Sequence, residues 1–250
     1  MKTQIENLKP KVGTVYSYGW GIMKQYFLPL FLLLLITGLA SFPAAILSDA
    51  FKFNGPQFHN IEGFKLMLND NLMQNFAGIV LIKIFVIAYS LFIMDPINYG
   101  AKYVNLKAVR HEKFDIKEVF DGFKNYLNVV LASLLASSIV IIGFVFLVIP
   151  GIVFACRLAF VPYLVMDKKL DPVKAVEESW RITKGYGWKI FWMAILAFFI
   201  GVAGFICLIV GLIFSIIWIS SAFAVMYQAV IQERGEYIAL NVENGTEQTV

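Results

Sequence analysis

From Ile190 to Gln232 the chain reads IFWMAILAFFIGVAGFICLIVGLIFSIIWISSAFAVMYQAVIQ, without one Asp, Glu, Lys, Arg or His. A helix rises about 1.5 Å per residue and a bilayer core is roughly 30 Å thick, so about 20 apolar residues cross it once. The run therefore holds two crossings, about 190–210 and 212–229, with a turn near Gly211. Working outward, four more apolar runs meet the same length: about 27–47, 76–94, 129–149 and a shorter one at 150–166. Pro150-Gly151 separates the last two as a second tight turn. Runs such as Phe31-Leu32-Leu33-Leu34-Leu35-Ile36 do not alternate polar with apolar residues, which excludes the strands of a transmembrane barrel.

The whole composition agrees. The chain has 250 residues, 59% of them apolar and 15% charged, against about 25% charged in soluble domains. A soluble globular enzyme, a secreted disulfide scaffold and a disordered chain are excluded. The expected fold is all-α, a polytopic membrane protein of six spans forming one domain over 1–236. A polar, disordered tail is expected over 237–250. The first apolar run starts late and five more follow, so it reads as a span and not as a cleaved signal.

Lys and Arg are retained on the side of synthesis. With both termini in the cytoplasm, 18 of the 21 Lys and Arg fall in or beside cytoplasmic segments. Lys52 and Lys65 lie outside and Lys83 within a span. The net charge of +4 then reflects topology, and no nucleic-acid partner is expected. An outer loop over about 48–75 carries a helical stripe of Ile61, Phe64, Leu68 and Leu72. After the second span, Asn98, Gly100 and Lys102 continue toward Arg110 as a cytoplasmic helical extension.

A three-position motif precedes three of the spans: Trp20, Lys24 and Tyr26; Phe120, Lys124 and Tyr126; Trp180, Lys184 and Tyr186. Each has an aromatic, Lys at i+4 and Tyr at i+6. These residue types favour the headgroup zone. Asp115 and Asp171-Pro172 mark helix starts for the second and third copies. The expected unit is a cytoplasmic interfacial amphipathic helix followed by a hairpin of spans. Such helices either set the depth of each hairpin or form a pseudo-threefold ring.

Over Pro150 to Trp188 the sequence resembles a broad group of bacterial integral membrane proteins of unknown function, similar to the membrane domain fused to some glycerophosphodiester phosphodiesterases. The likeness rests on Pro150-Gly151-Ile152, Arg157, Pro162, Asp167, Ala175, Ser179-Trp180-Arg181, Lys184-Gly185 and Trp188. A weaker patch covers Gly100, Arg110 and Phe120 to Phe123. The resemblance implies a six-span bundle in a bacterial cytoplasmic membrane and carries no activity with it. The phosphodiesterase domain has no counterpart here.

Residues suited to catalysis are few. His59 and His111 are expected on opposite membrane faces, and carboxylates within spans are confined to Asp95 and Asp167 at inner ends. No phosphate loop, paired-His zinc motif or nucleophile elbow occurs, and no metal or cofactor is expected. Cys156 and Cys207 read as small packing residues in apolar runs. Small residues four apart (Ala40 and Ala44, Ala132 and Ala136, Ala197 and Gly201) suit close helix contact.

Lys83 and Arg157 are the exceptions. A cation at mid-bilayer costs about 2.5–3.5 kcal/mol on the milder insertion scale. Each lies seven residues into an inward-running span, which puts both about 10 Å below the outer end. Either they snorkel and bond to freed carbonyls, or they hold an anion such as a lipid phosphate. The expected function is non-enzymatic: binding, moving or organising an anionic lipid or amphiphile through Arg157 and Lys83. The alternative is an anchoring or assembly subunit that docks a cytoplasmic partner on its interfacial helices.

Overall fold

The computed structural model describes residues 9–50 and 70–247, with side chains placed at 9–46, 80–208 and 210–235. Among these the chain is helical throughout and contains no strand. The helices are α1 (Val12–Gln25), α2 (Phe27–Ala50), α3 (Asp70–Tyr89), α4 (Asp95–Val109), α5 (Tyr126–Phe146), α6 (Val148–Leu158), α7 (Val161–Asp167), α8 (Pro172–Ile182), α9 (Gly187–Ile206) and α10 (Leu208–Glu247). A π-helical turn, Ser90–Met94, joins α3 to α4, and a 3₁₀ segment, Ile116–Phe123, precedes α5. Six stretches are long and apolar enough to cross a bilayer: Phe27–Ile46, Val80–Val109, Tyr126–Phe146, Val148–Asp167, Gly187–Ile206 and Val210–Gly235. The protein is an all-α, multi-pass membrane protein. Lys52, His59, Ile61, Phe64, Lys65 and Leu68 of the expected outer loop lie outside the described residues, and only the backbone of Leu72, in α3, lies within them.

The three motif segments sit at one end of the bundle, here termed the base, and each hands over to a long helix through the same backbone device. Tyr26, Asn125 and Tyr186 share a φ of −113°, −114° and −107°, well beyond that of an ideal helix. Their carbonyls accept the first helical hydrogen bonds from Leu30, Val129 and Ile190. Those three residues are buried, as are Leu33, Ala132 and Met193 three positions on. The structural repeat thus aligns Asn125, not Tyr126, with Tyr26 and Tyr186. In the second copy the sequence motif runs one residue out of step, because its lead-in is a 3₁₀ segment with fewer residues per turn. That segment lies backbone against backbone on α4. A Cβ on Gly100 would meet the Val119 carbonyl carbon at 2.6 Å, and one on Gly122 the Pro96 carbonyl carbon at 2.7 Å. Asp115 caps it as expected, accepting from the Lys117 amide at 3.0 Å. Asp171 occupies the cap position of α8 with Pro172 next, but makes no side-chain cap bond.

Four boundaries differ from the sequence reading. The α5–α6 hairpin turns at extended Leu147, three residues before Pro150. Proline is tolerated in a first helical turn, where amides lack intrahelical acceptors. The α9–α10 hairpin turns at Cys207 and Leu208, whose φ of 61° marks the tight turn, and not at Gly211. The glycines near both tips serve close approach instead: a Cβ on Gly143 would stand 2.9 Å from Gly151 Cα, and one on Gly204 2.7 Å from the Gly211 oxygen. Of the small pairs read from sequence, Ala132 is buried at a contact, while Gly201 faces open space. The fourth span breaks at Ala159-Phe160 into α6 and α7, since Pro162 has no N–H for the Leu158 carbonyl. At the far end the backbone stays helical through Glu247, where polar composition predicts a disordered tail after residue 236. Tyr237-Ile-Ala-Leu continues an established helix, which needs no new nucleation.

The stretch read as a cytoplasmic extension is α4, and it is the centre of the bundle's lower half. Val104, Leu106 and Ala108 are fully buried there, against α7 and the middle of α10. Phe160 and Tyr163 complete this core with Tyr227, whose ring stacks on Tyr163 at 4.9 Å.

Candidate functional site

Arg157 closes α6 just above the break at Phe160. The broken helix leaves its carbonyl without an amide donor, and α8 supplies two hydroxyls. Ser179 Oγ donates at 2.7 Å and Thr183 Oγ1 at 3.3 Å. The guanidinium carbon lies 5.6 Å from the Trp180 ring centroid, a cation–π distance. Phe154 packs on the same indole at 5.6 Å. Arg157 Nη1 is buried and has no hydrogen-bond partner among the described residues. Beside it runs a groove of about 480 Å³, walled by Ile149, Ile152, Val153 and Cys156 of α6, and by Gly185, Gly187, Trp188 and Phe191 at the start of α9. Gly185 (φ 91°) makes the turn that opens its lower end. This is the size and lining of a small-ligand site: mostly apolar, with one charged group to orient an occupant.

Contact with α8 places Arg157 at the base, not near the outer end. Lys83 is elsewhere. Its helix α3 packs on α2, and the Tyr89 hydroxyl donates to the Ala40 carbonyl at 2.7 Å. Ala40 is about 20 Å up α2 from Phe27, and Lys83 lies about 9 Å beyond Tyr89. Lys83 is exposed and does not line the Arg157 groove. The two cations therefore form no common site. The depth reading counted down from Pro150 by helical rise alone, whereas the hydroxyl bonds from α8 set Arg157 at the lower end of α6.

The motif residues form three local clusters. Lys24 sits 5.2 Å over the Trp20 ring, which packs on Trp218 at 4.9 Å, while Tyr26 meets His111 Nδ1 at 3.1 Å. Phe120 stacks on Phe123, Phe123 on Tyr126, and Lys124 pairs with Asp121 at 2.8 Å. Trp180 belongs to the Arg157 site. The Lys184 carbonyl accepts from Arg234 Nη2 at 2.5 Å, and Tyr186 lies under Lys189 at 4.8 Å. Trp20, Phe120 and Trp180 stay partly exposed, as headgroup anchors require. Cys156 is half-buried in the groove, and Cys207 is exposed at the α9–α10 tip, where it lies against Gly211. His59 lies outside the described residues, and among those described no His, Cys, Asp and Glu cluster could hold a metal.

One polar constellation was not anticipated. Arg110, at the end of α4, grips Asp167 of α7 in a two-pronged pair at 2.5 and 2.8 Å. Its Nε donates to Gln228 Oε1 at 2.7 Å, and the Tyr227 hydroxyl donates to Asp167 at 3.0 Å. Burial disfavours the guanidinium charge, but the Asp167 bonds and charge override it and raise the Arg110 pKa above its ordinary value. In the sequence both residues stood among those that carry the family resemblance, and Asp167 also closed an apolar run. The network ties three helices together with its charges paired to each other, so it reads as a structural latch.

No protein-family model, no curated protein and no solved structure matches the chain. The class therefore rests on the fold itself: a six-span, all-α membrane protein with an Arg-headed apolar groove at its base.

Proposed function

We propose that the protein is a non-enzymatic component of a bacterial cytoplasmic membrane that binds, moves or organises an anionic lipid or amphiphile in the Arg157 groove. One observation carries the reading: among the described residues a guanidinium nitrogen is buried without a partner at the wall of an apolar groove. A buried donor left unpaired costs about 1–3 kcal/mol or more when charged, and a phosphate oxygen would relieve it. The groove's shape fits an amphiphile. Trp180 and Trp188 flank the charged end at headgroup level, while Ile152 and Ile149 continue the wall for about 12 Å up α6, where an acyl chain would lie. Arg157, Trp180, Gly185 and Trp188 are also among the residues that carry the resemblance to the membrane domain of glycerophosphodiester phosphodiesterases. The distribution of Lys and Arg supports cytoplasmic termini, and with them a groove facing the inner leaflet.

Native mass spectrometry of the detergent-solubilised protein tests this. Anionic phospholipid should remain bound to the wild type and to Lys83→Gln, and be lost from Arg157→Gln at unchanged thermal stability. Equal retention by Arg157→Gln overturns it. Exposed Phe120 and Phe123 on the 3₁₀ segment support the alternative, docking of a cytoplasmic protein. The same spectra would then carry a polypeptide in place of lipid.

A further inference from the structure

A second cavity lies inside the spanning bundle, between α2, α4 and α10, with a volume of about 150 Å³. It extends from the level of Leu30 to that of Thr37, about 5 to 15 Å into the first span. Leu and Ile supply five of its eleven lining residues, and five polar residues reach it as well: Thr37, Asn98, Lys102, Asn105 and Ser220. Sequence alone put Lys102 in a cytoplasmic extension. The structure puts it within the apolar stretch Val80–Val109, where an ammonium is costly and calls for a reason.

The available partners do not supply that reason. Lys102 makes no hydrogen bond or ion pair among the described residues. The carboxylate it feels is Asp95, two helical turns toward the N-terminus of α4, which takes the Ser133 hydroxyl and does not line the cavity. Among the described residues lining the cavity Lys102 is the one ionisable group, and no carboxylate lines the cavity with it. Of the neutral groups, Thr37 spends its hydroxyl hydrogen on the Leu33 and Leu34 carbonyls at 3.0 and 3.1 Å, while Ser220 and Asn98 keep donors free. Asn105 Nδ2 donates to Ser220 Oγ at 2.7 Å, and Asn105 Oδ1 accepts from Ser221 at 3.4 Å. Ser220 therefore already accepts, and its own hydrogen is left to point into the space. The Asn98 side chain makes no hydrogen bond among the described residues and adds a second donor. An ammonium, a hydroxyl and an amide converging on a space of about five water volumes match one small anion.

We infer that this cavity binds a small monovalent anion, halide- or carboxylate-sized, held by Lys102, Ser220 and Asn98. It is separate from the Arg157 groove and independent of the lipid reading. Its size admits a free ion or the carboxylate end of a fatty acid, but not a whole phospholipid headgroup.

The test is thermal unfolding of the purified protein in detergent, with bromide replacing gluconate at constant ionic strength. A ligand that binds only the folded state raises the unfolding temperature. Wild type and Arg157→Gln should show a saturable rise with bromide, and Lys102→Met none. Should Lys102→Met not fold, Asn98→Leu and Ser220→Ala should each move the half-saturating bromide concentration upward about tenfold, the loss of one charge-assisted bond. Laurate separates the two sources. If it raises the unfolding temperature itself and cancels the bromide response, the occupant is a fatty-acid carboxylate; if the bromide response survives, it is a free ion. Equal unfolding temperatures in bromide, laurate and gluconate overturn the proposal, as does a bromide response unchanged in Lys102→Met.

Discussion

The two ends of the bundle are built on different rules. At the base, Phe160, Leu164, Val104 and Tyr227 are fully buried and the Arg110–Asp167 latch joins three helices. At the tips, Phe144, Phe146, Ile149, Ile206 and Leu208 are exposed, and the hairpins touch chiefly where glycines let backbones meet. In water such tips would aggregate. In a bilayer an exposed Phe loses nothing, because lipid tails are as apolar as the core. The tips therefore need only close contact, while the base, near the headgroups, must satisfy polar groups and exclude water. Both functional candidates lie in the lower half, where charge and cavity coincide.

The contrast can be broken most directly with one substitution at each end. Phe160→Ala removes a ring with no exposed surface and should cost about 3 kcal/mol or more. Phe146→Ala, at a residue 76% exposed, should stay within about 0.5 kcal/mol in lipid. Chemical unfolding in mixed micelles or bicelles reads both, and comparable losses would mean that the tips are packed by something other than lipid. The latch should give the next largest effect. Asp167→Ala strands a half-buried guanidinium and should cost about 3 kcal/mol, with much of the loss recovered in Arg110→Met/Asp167→Leu. A double variant no better than the single one would show that the pair contributes through its charge and not merely through mutual neutralisation.

The smallest effect is a dependence on pH at the base. His111 follows α4 with φ 54° and meets the Tyr18 and Tyr26 hydroxyls at 3.2 and 3.1 Å. Burial holds its imidazole below the ordinary pKa. The unfolded chain then takes up the proton first, near pH 6.5. Stability is complete above that value and falls as the pH drops through the folded-state value. The unfolding temperature should decline between pH 7.5 and 5, and His111→Asn, which tolerates the left-handed backbone, should flatten the slope. An unchanged slope would place the titrating group elsewhere.

Composition and run length were enough for six helical crossings, because hydropathy acts over whole segments and needs no partner. The repeat was legible too, since Trp20, Phe120 and Trp180 each stand before a span. Its exact register was not: a 3₁₀ segment and an α-helix of similar composition differ by packing, here the glycine contacts of α4. Turn positions also escaped, as Pro150 and Gly211 look like breakers in isolation yet sit inside first turns or close contacts.

Arg157 stood out in the sequence as a cation in an apolar run, and its chemistry required no neighbours to be noticed. Its place beside Trp180, its separation from Lys83 and the burial of Lys102 were tertiary outcomes. Each depends on where a helix breaks or which helix packs against which, and those choices are made by residues far apart in the chain. Hydrophobicity by itself determined that this polypeptide lives in lipid. Only the packed structure decided where its charges meet, because depth and pairing are properties of neighbouring helices and not of a single run.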